Sequence, residues 1–177
     1  MSDPARIAVL TISDGVAAGT RTDASGDALQ QWITQRGAVV AARDAVADDV
    51  GAIVRALLAV VDAGSADVIL TTGGTGLTAR DVTPEATRVV VQRDAPGIAE
   101  RIRQVGAEAT AYAALSRGIA GVRGSTLIVN LPGSTGGVVP TVGAVVVATV
   151  APATEKERAT APVVDALDLP QIIHSRA

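Results

Sequence analysis

The chain has 177 residues, 48% of them hydrophobic and 19% charged, with a net charge of −3. That is enough for one domain with a substantial core, and the composition argues against disorder. Trp32 and Tyr112 are its only aromatic residues and no lysine or arginine patch stands out, so nucleic-acid binding is not expected. There are no cysteines, which rules out disulfides, a thiolate nucleophile and cysteine-ligated metals. The single histidine, His174, lies outside every motif, and nothing resembles a nucleophile elbow. The polar start Met1-Ser-Asp-Pro-Ala-Arg6 has no signal-peptide pattern, so a cytoplasmic location is expected.

The first predicted element is the apolar run Arg6–Ile12, a buried strand. Ser13 and Asp14 follow at its carboxyl edge, where open α/β sheets gather their ligands. Ser25 can cap a helix bearing Leu29, Trp32 and Ile33 on one face and ending near Gly37. Residues 38–42 read as a second strand. A helix opening at Asp48 carries Val50, Ile53, Val54, Leu57, Leu58 and Val61 at helical spacing. Residues 67–72 form the third strand.

The segment after that strand is the most specific in the chain. Gly73, Gly74 and Gly76 remove side chains where the backbone leaves the sheet. Thr83 can cap the next helix, with Pro84 at its first position. A helix N-terminus behind a glycine loop suits an anion. A carboxylate beside such an anion calls for a cation, so Asp81 points to Mg²⁺. The competing reading is a tight strand-to-helix turn that binds nothing. The helix from Thr83 breaks near Pro96-Gly97, and Ile98, Ile102 and Val105 mark another. A short helix through Tyr112–Leu115 and two strands at 118–122 and 125–131 complete the regular pattern. The uncharged stretch from Gly124 to Thr154 contains too many glycines and prolines for a membrane span. Its 138–150 part reads as a buried helix and a possible subunit contact. Alternating strands and helices predict a three-layer α/β/α domain over residues 1–155, with a mostly parallel but mixed sheet. Residues 156–177 are expected to form a tail packed on that domain.

Four polar clusters should therefore meet at one sheet edge: Ser13-Asp14, Asp48-Asp49, Gly73 to Asp81, and Pro132 to Ser134. Nucleotidyl transfer would use the glycine amides to cradle a triphosphate, and Asp48 or Asp49 with Asp81 to hold Mg²⁺. Each cluster also has a plainer reading. The acids suit helix starts, Ser13-Asp14 a polar turn, Ser116-Arg117 a helix end and Pro132-Gly133 an ordinary turn.

Thr71-Thr-Gly-Gly-Thr-Gly76 followed by Arg80-Asp-Val-Thr-Pro-Glu-Ala-Thr87 resembles the molybdopterin adenylyltransferase family of molybdenum cofactor biosynthesis. Ser13-Asp14 with Gly19, Asp23 and Ser25-Gly26, then Val46-Ala47-Asp48-Asp49, Leu115-Ser116-Arg117 and Asn130-Leu131-Pro132-Gly133-Ser134 match in the same order. The resemblance implies a molybdopterin-binding-domain-like fold and AMP transfer from ATP to molybdopterin with release of pyrophosphate. It implies that Asp48 and Asp81 are the acids needed for catalysis and Mg²⁺; the residue reading adds Asp49 as a further candidate for the metal. It assigns the nucleotide to Ser13, Asp14, Thr72, Gly73, Gly74, Thr75 and Gly76. Molybdopterin falls to Ser116, Arg117, Pro132, Gly133 and Ser134. A homotrimer, or a hexamer, is the implied assembly. The alternative is an oligomer of this family that binds the pterin or nucleotide without turnover. Two departures stand out: Thr135-Gly136-Gly137 occupies the place where family members often carry Pro-Lys or Asn-Pro, and a Val-rich segment replaces the usual charged helix after it.

Overall fold

The computed structural model describes residues 4–150. In chain order these form β1 (Arg6–Ile12), α1 (Asp14–Ala17), α2 (Ala24–Gln35), β2 (Val39–Val46), α3 (Val50–Asp62) and β3 (Val68–Thr72). There follow α4 (Thr83–Val90), β4 (Arg93–Asp94), α5 (Pro96–Ala109), a 3-10 turn (Ala111–Leu115), β5 (Ala120–Arg123), β6 (Thr126–Leu131) and α6 (Thr135–Val150). The tail at 156–177, with His174, lies outside the described residues.

The strands form one sheet in the order β2-β1-β3-β6-β5-β4. β2, β1, β3 and β6 run parallel, and β5 and β4 close one edge antiparallel. β3 and β6 are buried along their whole length, as is β1 after Arg6. Continuous apolar strands of this kind need cover on both faces, and they have it. Ile7, Val9, Leu70, Val129 and Leu131 pack against Leu29, Trp32 and Ile33 of α2, Ile98 and Ile102 of α5, and Val138 and Val142 of α6. The alternate residues Ala8, Leu10, Ile12, Ile69 and Ile128 pack against Ile53 and Leu57 of α3 and Ala86 and Val90 of α4. The result is the expected three-layer α/β/α architecture with a mixed sheet. Among the described residues no helix is long and apolar enough to cross a membrane.

Several local expectations are corrected. The cap of α2 is Asp23, whose carboxylate accepts from the Gly26 amide; Ser25 sits inside the helix. α3 starts at Val50, two residues later than expected, with Asp49 as the cap, accepting from Ala52. Val82, not Thr83, precedes α4, and the Thr83 hydroxyl donates to the Gly73 carbonyl instead. β2 continues to Val46, through Arg43 and Asp44, because it lies at the sheet edge and keeps only its ladder with β1. β4 was not legible: it is two exposed residues long and exists only by pairing with Val122 and Gly121.

One buried polar network joins the layers. Asn130 on β6 is 2% exposed. Its Nδ2 donates to Thr71 Oγ1 at 3.0 Å and Thr87 Oγ1 at 2.9 Å, and its Oδ1 accepts from the Ile119 amide at 3.2 Å. Buried groups left without partners are costly. Asn130→Ala should therefore lower stability by about 3 kcal/mol in urea unfolding; a loss under about 1 kcal/mol would mean that water replaces the side chain.

Candidate active site

Because β2, β1, β3 and β6 are mutually parallel, the loops at their carboxyl ends leave the sheet side by side. The four polar clusters meet there. The Asp14 amide donates to Asp48 Oδ2 and the Asp48 amide to Asp14 Oδ1, each at 3.0 Å, so the loops after β1 and β2 are tied reciprocally. Thr72 Oγ1 donates to the Pro132 carbonyl at 2.9 Å, and the Gly73 amide to the Leu131 carbonyl at 3.3 Å. These join the loops after β3 and β6.

The glycine loop is backbone-packed. Gly73 has φ 103°, and a Cβ there would stand 2.3 Å from the Ile12 carbonyl oxygen. A Cβ on Gly133 would stand 2.9 Å from Gly73 Cα. Gly74, at φ 63°, approaches the Thr83 hydroxyl in the same way, and Asp48 Oδ1 lies on the same side. The start of α4 is committed to this loop: the Thr83 amide donates to the Gly74 carbonyl and its hydroxyl to the Gly73 carbonyl. Pro84 has no N–H to offer. The first two positions of that helix therefore have no free N–H to offer an anion, since the Thr83 amide is spent on the loop.

Two cavities flank the loop. A polar one of about 500 Å³ is lined by Ser13, Arg21, Asp23, Asp48, Thr72, Gly73, Gly74, Gly133 and Ser134. Among the described residues Arg21 is the one cation in its wall. On the other side, a cavity of about 560 Å³ is lined by Thr75, Gly76, Leu77, Ile102, Tyr112, Leu115, Ser116, Pro132 and Ser134. Ser134 belongs to both walls. The sequence reading missed Arg21 as a cavity residue, and Leu77, Ile102 and Tyr112 as the wall of the second one. Arg21 sits between Gly19 and Asp23 of the shared motif, which is the signal that points to it; the apolar wall is drawn from three separate elements and has no linear signal.

Other expected site residues are engaged by the protein. Asp49 is the α3 cap. Asp14 pairs with Arg80, and Ser13 Oγ accepts from the Val16 amide. Asp81 turns back to accept from the Thr78 amide at 2.8 Å and the Thr78 hydroxyl at 2.7 Å. Burial alone would raise the Asp81 carboxyl, but these bonds, the Gly76 amide and the Arg117 charge outweigh it and hold it low. Arg117 binds the Gly76 and Asp81 carbonyls and Glu85. Among the described residues no three acidic or histidine side chains form a group able to hold a metal by themselves. Asp48, Asp49 and Asp81 are therefore not a preassembled metal cage, since a helix cap and a loop turn consume two of them.

A family model described as a probable molybdopterin binding domain matches residues 8–156. The chain belongs to this family. It is a family of molybdenum cofactor biosynthesis. The chain is 39% identical over 129 residues to the molybdopterin adenylyltransferase of Helicobacter pylori strain J99, covering 72% of this chain and 73% of that protein. It is 44% identical over 127 residues to the molybdenum cofactor synthesis protein cinnamon of Drosophila melanogaster, covering 71% of this chain but spanning only 21% of that longer protein. The crystal structure of the molybdopterin biosynthesis enzyme MoaB from Thermus thermophilus superposes with a TM-score of 0.75 at 46% identity, over 80% of this chain and 89% of that one. The molybdopterin-binding-domain fold therefore accounts for the sheet and its loop edge.

Two outcomes follow from the geometry. Gly73→Ala should cost more than about 2 kcal/mol, through its positive φ and its contact with Ile12; calorimetry showing an unchanged melting temperature would refute the close packing. Asp23 is also informative. It accepts from Thr11 Oγ1 and Arg43 at 2.9 Å, with its side chain 13% exposed. Burial pushes its carboxyl up, but Arg43, the Gly26 amide and Thr11 hold it below the usual carboxylate range. Its stabilisation is complete above that range and is lost as pH falls through the depressed folded value. Asp23→Asn should be less stable than wild type at neutral pH and converge with it in acid. A constant gap between the two melting curves from pH 7 to pH ~2 would exclude this linkage.

Proposed function

We propose that this chain is a molybdopterin adenylyltransferase, transferring AMP from Mg-ATP to molybdopterin with release of pyrophosphate. The observation that carries the reading is the pair of cavities on either side of one glycine loop, with Ser134 in both walls. Two substrates that must react with each other need adjoining sites where their reacting atoms can meet, and Ser134 marks where these two cavities adjoin. The polar cavity suits the nucleotide: Ser13, Thr72, Gly73 and Gly74 line it, and Arg21 brings a cation toward the polyphosphate. The apolar one suits the flat pterin, with Ser116 and Ser134 near its polar end.

In this reading a phosphate oxygen of molybdopterin attacks the α-phosphorus of ATP. A new P–O bond forms, the bond from the α-phosphorus to the bridging oxygen breaks, and pyrophosphate leaves with that electron pair. Asp48 fits a magnesium ion that comes with the nucleotide. Its carboxylate lines the polar cavity, and Mg²⁺ usually takes one or two carboxylates plus phosphate oxygens and water. Bound there, the ion would neutralise phosphate charge. Asp14 orients Asp48 through the reciprocal amide bonds. Asp81 keeps the glycine loop in shape through Thr78 and serves the ion only by releasing it. That engagement of Asp81 is also what favours the second reading, a non-catalytic oligomer that holds the pterin or nucleotide. The assembly we propose is the homotrimer, or its hexameric doubling, which light scattering would read.

Pyrophosphate release from Mg-ATP should depend on added molybdopterin. Asp48→Asn should lower that rate at least about a hundredfold without unfolding the protein. Arg21→Ala should raise the KM for ATP and leave that for molybdopterin unchanged. Binding of both ligands with no pyrophosphate formed would favour the carrier.

A further inference from the structure

We infer that Arg117 is a positioning residue, a clamp that holds the partition between the two cavities in shape, and that it does not touch either substrate. Every nitrogen of its guanidinium is occupied by the protein. Nε donates to the Gly76 carbonyl at 2.7 Å, Nη2 to the Asp81 carbonyl and Nη1 to Glu85 Oε1. Its own backbone amide donates to the Thr75 carbonyl at 2.9 Å. A single residue thus grips the end of the glycine loop, the Asp81 turn and the first turn of α4.

The clamp is held from behind. Arg103 on α5 donates through Nη1 to the Gly118 carbonyl at 3.1 Å and the Ser116 carbonyl at 3.5 Å, fixing the residues on either side of Arg117. The carbonyls that Arg117 binds belong to Gly76, which lines the apolar cavity, and to Asp81, whose carboxylate closes the loop. The Glu85 carboxyl is held below its ordinary value chiefly by its bond to Arg117, as expected of a formed ion pair. A planar fork spreads its donors over three nitrogens and so reaches three separated acceptors at once; an ammonium offers its three donors from a single point. A substrate anion drawn to this guanidinium would compete with contacts that shape the loop. The resemblance implies a substrate contact at Arg117; the geometry assigns the residue to the protein's own loop.

The kinetic part of the test rests on the adenylyl-transfer reading, and the exchange part does not. The variants are Arg117→Lys and Glu85→Gln, which keep a polar group at each position. Amide hydrogen exchange is followed at Thr78, Asp81 and Thr83, whose N–H groups are bonded within the clamped segment. The Leu127 amide, bonded to the Asp67 carbonyl on the far side of the sheet, is the control. Arg117→Lys is expected to speed exchange at the three amides and not at Leu127, and to lower kcat by about tenfold to a hundredfold, with the KM for molybdopterin within about twofold of wild type. Glu85→Gln should move both readouts in the same direction by less. Unchanged exchange, or a rise in the KM for molybdopterin with kcat intact, would overturn the clamp. If the wild type forms no pyrophosphate, the adenylyl-transfer reading fails, and the exchange result alone upholds or removes Arg117 as the clamp.

Discussion

The site depends on one close approach. Gly73 leaves β3 between the Ile12 carbonyl at the end of β1 and Gly133 after β6, with no room for a side chain at either glycine. Three parallel strands can only bring their carboxyl ends so near if the middle loop is bare backbone. Once they do, the Thr72 hydroxyl reaches Pro132 and the Thr83 hydroxyl reaches the Gly73 carbonyl, so the start of α4 is set by the loop and not by a side-chain cap. The two cavities are the spaces left on either side of this junction.

Around that junction the charges are mostly paired with one another. Asp14 meets Arg80, Asp23 meets Arg43, and Glu85 meets Arg117. The Asp14 and Glu85 pairs are substantially exposed, and such pairs add little to stability. Their effect is geometric: each ties a loop to a neighbour distant in sequence. The Asp23 pair is more enclosed, and it is also a helix cap, so α2, β1 and β2 share one carboxylate. Asp48 and Arg21 differ in standing at the wall of the polar cavity without such an ion pair among the described residues. That contrast is why the proposed chemistry centres on them.

The buried Asn130 network has a related consequence. It connects β6 to β3 and α4 through Thr71 and Thr87, immediately below the glycine loop. A core of small aliphatic residues packs without strong orientation preference, and a satisfied buried amide supplies direction. It fixes how α4 sits against the sheet, and hence where the loop that leads into it must run.

The sequence by itself determined the sheet's central strands, the three layers and the edge where the polar loops gather. It could do so because uniform apolar runs, glycine loops and helical spacing are local signals. The shared motif order also made the family legible. What only the tertiary structure decided is which polar groups are spent. Asp49 became a cap, Asp81 a loop turn and Arg117 a clamp, while β4 arose purely by pairing at an edge. The Asp49 and Asp81 bonds reach only three residues, but the other commitments rest on partners far along the chain: Asp14 and Asp48 are 34 residues apart, Arg117 and Gly76 41, and Asn130 and Thr71 59. A carboxylate or a guanidinium looks the same in sequence whether it faces a ligand or a carbonyl of its own protein, and only the folded chain brings those acceptors within hydrogen-bond reach.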